Sequence, residues 1–238
     1  MKIQWGMMMT DGRGKLGGQV ASKNRAGAYL RTKVTPDNPQ TTSQSIVRSI
    51  FSILSKKWSE SLSDVQRKQW NTGASSGEFA KTDVFGNSRN PSGFNLFVGM
   101  NSLQQATGGR QIITPPRKAN FLEVKAIQLA VQEGEPSTMQ GLLELEAGTV
   151  QTGTKLQVQA TSMVSPGKTY AKNLFRDIAI FNAVPENNSL VLADEYEAKF
   201  GSIAGNEGKQ VFIRVRQVVE GQPTPWVTTS AIVQPETP

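Results

Sequence analysis

The sequence predicts an α+β chain: an extended basic N-terminal arm, a small three-helix element, and a C-terminal antiparallel β-sandwich of immunoglobulin- or fibronectin-like pattern. Three observations carry this. The first 35 residues mix glycine with Lys and Arg. Between 41 and 109, apolar residues recur at helical spacing behind capping signals. From 121 onward the period falls to two, with turn residues at regular intervals. The predicted division is 1–35 arm, 36–112 helical domain, 113–120 proline-rich linker and 121–238 sandwich, and 238 residues suffice for two small domains.

The arm holds Gly12-Arg13-Gly14-Lys15-Leu16-Gly17-Gly18 and Arg25-Ala26-Gly27-Ala28-Tyr29-Leu30-Arg31. Glycine loses more backbone freedom on ordering than any other residue, so this stretch is a poor autonomous domain and a good partner-ordered arm. Residues 28–34 alternate and carry β-formers, which predicts short strands. The arm reads either as a docking element for nucleic acid or an acidic protein surface, or as a solvated tail.

After a two-proline turn at 35–40, Thr41-x-x-Gln44 looks like a capping box, and Val47, Ile50, Phe51, Leu54 and Trp58 form one stripe. That stripe is expected to face the core; a partner's groove is the alternative. Ser63-x-x-Gln66 opens a second helix through Trp70, with Asn71 and Gly73 as stops. Trp58 and Trp70 are expected to pack between these helices. Residues 72–92 read as a loop. A third helix starts near Ser92, carries Phe94, Phe97 and Val98, and closes at Gly108-Gly109. Beyond the prolines of 113–118, alternation marks strands around Leu143, Leu156, Ile178 and Val211–Val215. A last strand from Trp226 makes a hairpin with 211–219.

Composition narrows the function. The chain has no cysteine and no histidine, which removes disulfides, thiolate chemistry, the usual general base and the commonest zinc ligand. No phosphate-binding or calcium-loop motif is found, and the acids are scattered singly. The expectation is no enzyme, no cofactor, no metal and no small-molecule substrate. No apolar run reaches the roughly 18 residues of a membrane span, and Met7-Met8-Met9 is too short for an export signal, so no membrane association is expected. The net charge of +7 is unevenly spread: residues 1–118 carry +11 and residues 119–238 carry −4. Such asymmetry points to an interaction arm.

Several spaced pieces resemble uncharacterised proteins encoded by bacteriophages and prophages. They are Gly14 to Gly18, Lys23 to Arg31, Val34 to Thr41, Arg48 to Phe51, Leu54 to Trp58, Leu62 to Trp70 and Ser92 to Phe97. The resemblance implies a virion structural protein (capsid-associated, neck or fibre-attachment) made in the host cytoplasm. Its partners would be other virion proteins, copies of itself included. Arg13, Lys15, Lys23, Arg25, Arg31 and Lys33 would meet acidic surfaces, while Tyr29 and Leu30 fill apolar pockets. Two alternatives stand beside it. In one the chain binds nucleic acid through the arm and Lys56, Lys57, Arg67 and Lys68. In the other the sandwich adheres to a host surface through Trp226 or Tyr170, which are otherwise sandwich core.

Overall fold

The computed structural model describes residues 1–3, 12–24, 27–134, 136–146, 150–185 and 187–235. The expectations for Met7 to Met9 and for Arg25 lie outside the described residues. The chain is α+β, and its sheet strands pair antiparallel. It divides into two compact units, Met1–Val98 and Gly99–Pro238. The described residues hold four α-helices where three are expected; the fourth lies among the strands of the second unit.

In the first unit the arm is not simply extended. β1 (Gly14–Leu16), β2 (Gln19–Asn24) and β3 (Gly27–Thr32) form a three-stranded meander. Gly17 and Gly18 make the β1–β2 turn, Gly17 with a φ of 55°. Residues 1–3 run beside β3: Leu30 N donates to Met1 O at 2.8 Å, and Ile3 N donates to Ala28 O at 3.1 Å.

The helices follow. α1 (Thr42–Lys56) is capped by Thr41, whose Oγ1 accepts from Gln44 N at 3.3 Å. The expected box is half made, because Gln44 Oε1 is buried and finds no partner. α1 runs into a π-helical turn, Lys57–Ser61. α2 (Asp64–Ser75) starts with a complete capping box in which Ser63 and Gln66 satisfy each other's backbone N–H. It runs past Asn71 and Gly73, the expected stops, because burying Ala74 (1% exposed) one turn beyond Trp70 (0%) outweighs the roughly 1 kcal/mol helix cost of a glycine. The expected loop contains a short hairpin, β4 (Lys81–Thr82) and β5 (Ser88–Arg89). α3 (Gly93–Ala106) is capped by Ser92, whose Oγ accepts from Asn95 N. Trp58 and Phe94, Trp58 and Phe97, and Trp70 and Phe97 meet with ring centroids 5.8, 5.5 and 5.4 Å apart. These edge and tilted contacts are the favoured aromatic geometries.

The second unit contains β6 (Val124–Gln132), β7 (Thr138–Leu145), β8 (Lys155–Ala160), β9 (Arg176–Phe181), β10 (Ser189–Val191), α4 (Ala193–Phe200), β11 (Gln210–Val219), β12 (Gln222–Pro223) and β13 (Val227–Ile232). One sheet has the order β10-β7-β6. The other has β12-β11-β8-β9, with β13 also on β11. Val211, Ile213 and Val215 of β11 are all 0% exposed, and they share one buried cluster with Leu156 and Val158 of β8, Leu143 of β7 and Leu190 of β10. In β11 the period-two pattern therefore predicts which face is buried, whereas in β9, beside an irregularity in its pairing with β8, Ile180 is exposed and Ala179 and Phe181 pack against the cluster.

Segment 112–122 is tied down. Asn101 holds Ile112 through both its amide groups, Gln222 bridges Arg117 O and Ala119 N, and Gln217 Nε2 donates to Leu122 O at 2.9 Å. All three side chains are buried. Between β11 and β12, Glu220 and Gly221 both have positive φ, 45° and 71°, as a tight hairpin turn requires. Gly221 also faces the Met100 backbone of α3, where a Cβ would come within 2.9 Å of Met100 Cα.

Candidate partner-docking surface

The meander register decides which basic residues act together. Lys15 pairs with Val20 and Val20 with Arg31, so these side chains share one face, along with Tyr29 opposite Ser22. Lys23 and Leu30 lie on the other face, with Leu16, which is 61% exposed. Lys23 has a further interaction of its own, as does Arg13. Lys33 follows β3 and donates its backbone N–H to Gly18 O at 2.8 Å. Sequence reasoning gathered these residues into one basic arm; the structure splits them across two faces of a thin sheet. Of the described meander strand residues, Ala21 alone is buried.

Asp83 anchors residues 1–3, which run beside this sheet, and no sequence motif marks it. Its side chain is 3% exposed and meets Lys2 Nζ at 3.3 Å and Arg89 Nε at 3.4 Å. The other carboxylate oxygen accepts from Phe85 N and Asn87 N at 2.9 and 3.0 Å. Desolvation by burial raises the carboxyl pKa, but the backbone bonds from Asn87 and Phe85 and the side-chain bonds from Lys2 and Asn87 outweigh it. The net effect is to lower it from 3.8 to about 2. Asp83 thus ties residues 1–3 to the β4–β5 hairpin.

α1 departs furthest from expectation. Of its predicted core stripe, only Leu54 is buried, at 3% exposure. Ile50 and Trp58 are half-buried, while Val47 is 66% and Phe51 52% exposed. Ile46 and Ile53 widen the exposed apolar band. The aromatic cluster packs the C-terminal end of α1 and reaches back only to the edge of Phe51, whose ring meets Phe94 at 6.3 Å. Helix α1 contains no acidic residue.

The four basic residues proposed for nucleic acid do not form a set. Arg67 is committed to the π-helical turn: Nη1 donates to Trp58 O and Ser59 O at 3.2 and 2.9 Å, and Nη2 pairs with Asp64. The wider turn leaves these carbonyls without helical partners, and the guanidinium supplies them. Lys57 is half-buried and already engaged. Lys56 and Lys68 are exposed, Lys68 beside a shallow hollow with Asn71, Thr72, Ser75 and Ser76. In the second unit, Tyr170 is 65% exposed and Trp226 half-buried, so neither is core.

Among the described residues no three His, Cys, Asp or Glu side chains gather where a metal could be held, and no helix is long and apolar enough to cross a membrane. No protein-family model and no curated protein matches this chain.

Proposed function

We propose that this chain is a structural component of a bacteriophage virion that docks into the particle through its first unit. The single observation carrying this reading is the apolar band of α1. Ile46, Val47, Phe51 and Ile53 stand exposed on a helix whose spacing is that of a buried one. A face of this kind is stabilised when a partner's groove covers it. The thin basic meander beside it in sequence adds side chains suited to acidic surfaces, Lys15 and Arg31 on one face and Lys23 on the other. The motifs between residues 10 and 105 that resemble phage-encoded proteins support the virion setting, in a capsid-associated, neck or fibre-attachment position. The partners are other virion proteins, including copies of this chain.

The second unit is read as an immunoglobulin-like β-sandwich. In support, strands in chain order distribute as first, second and fifth in one sheet and third, fourth, sixth, seventh and last in the other, and side chains of both sheets enter one cluster. The nucleic-acid reading is weaker, because Arg67 is spent on the π-helical turn.

The test is incorporation. Particles purified from the strain that encodes this chain contain it at fixed stoichiometry. A variant carrying Ile46→Ser and Val47→Ser folds but is missing from them. Wild-type chain absent from particles contradicts the virion role. The double variant recovered at wild-type level contradicts docking through α1.

A further inference from the structure

The outer face of the sheet containing β8, β9 and β11 carries an ordered polar array. Alternation along β11 buries Ile213 and Val215 and turns Arg214 and Arg216 outward. Their Cα atoms stand roughly 7 Å apart along the strand. Arg214 Nε and Nη2 both donate to Gln159 Oε1, at 2.8 and 2.6 Å. Arg216 Nε donates to Gln157 Oε1 at 2.8 Å. Both glutamines turn their Nε2 to Asp177 Oδ1, so one carboxylate fixes the orientation of both amides.

The rings complete the array. Arg214 lies over Phe175 at 4.2 Å and over Trp226 at 4.5 Å, and Arg216 lies over Trp226 at 4.3 Å. Stacking holds the guanidinium planes while the glutamines hold their Nε edges. Among the described residues, Nη1 of Arg214 and both Nη of Arg216 have no hydrogen-bond partner. Burial lowers the pKa of both guanidiniums, against the opposing pull of Asp177.

We infer that Arg214 and Arg216 form a preoriented clamp for a carboxylate side chain, docking an acidic segment of a partner protein on this face. Charge selects that ligand. Two guanidiniums against Asp177 leave one net positive charge, which a single carboxylate balances. A nucleic-acid strand is the poorer match: it needs several cations, and the Trp226 and Phe175 rings are already stacked on arginine and not free for bases. This site lies in the second unit and is independent of docking through α1.

The test uses the full chain with labelled arginine side chains, following the Nε–Hε signals of Arg214 and Arg216 by NMR. The probes are a capped tetraglutamate peptide, the matching tetraglutamine peptide and a short DNA duplex. The glutamate peptide is expected to shift both signals saturably, and the glutamine peptide to leave them in place. Arg216→Gln is expected to weaken binding about tenfold. Arg216→Lys, which keeps the charge and guards against misfolding as the cause, also weakens it through loss of the planar fork. Asp177→Asn tightens it several-fold by raising the net charge. No saturable shift with the glutamate peptide, or tighter binding of the duplex at these two signals, overturns the inference.

Discussion

The two units of this chain use apolar residues in opposite ways. Among the described residues, the second buries many more large apolar side chains than it exposes, and strands of both its sheets feed one cluster. The first exposes more than it buries: its interior holds an aromatic knot of Trp58, Trp70, Phe94 and Phe97, and Leu54, Leu62 and Leu96 are also buried. A sheet or helix with one covered and one open apolar face is stable only to the extent of the covered one. The second unit thus covers most of its own large apolar side chains, whereas the first leaves most of its own open, the surface through which docking is proposed.

This contrast can be broken by substitution. The largest effect is expected in the second unit. Ile213→Ala, at a residue 0% exposed, removes about 2–5 kcal/mol, read by denaturant unfolding. Next is Gly221→Ala, which forces a Cβ against the Met100 backbone in a left-handed turn and costs about 1–3 kcal/mol.

In the first unit, the Asp83 hub adds a pH dependence. Its carboxyl pKa is depressed in the fold, so its stabilisation is fully present above the ordinary value of 3.8 and is lost as the pH falls through about 2. Hydrogen exchange at Leu30 N, which bonds Met1 O, is expected to stay slow down to that range and then accelerate. Asp83→Asn abolishes the step. The smallest stability effect is expected at the most exposed apolar residues of α1. Ile46→Ser with Val47→Ser changes unfolding free energy by no more than about 0.5 kcal/mol per site. A loss of several kcal/mol there would mean that the band is core after all.

How far the sequence foretold this molecule depends on whether the signal is local. The alternation of Val211, Ile213 and Val215 and the Ser63–Gln66 box are local, and both are realised. Helix α4 was missed because it has eight residues and Leu192 at its N-cap makes no side-chain bond, leaving no start signal. It forms because Tyr196 is buried and its hydroxyl donates to Thr161 O at 3.1 Å, 35 residues away; that burial raises the phenol pKa to about 12. Gly17 and Gly18 read as flexibility but make the β1–β2 turn, since Leu16 and Gln19 pair across them. For α1, periodicity tells which residues share a face but not what covers it. For the clamp, Arg214 and Arg216 are visible two apart, whereas Phe175, Trp226 and the two glutamines reach them only through the sheet.

The most direct test of the central claim is hydrogen exchange of the α1 amides, measured in the free chain and again in purified particles. Docking through α1 predicts fast exchange over the first turns in the free chain and at least tenfold slower exchange in the particle, as about 1.4 kcal/mol of added local stability would give. Equal protection of those amides in both states would contradict it.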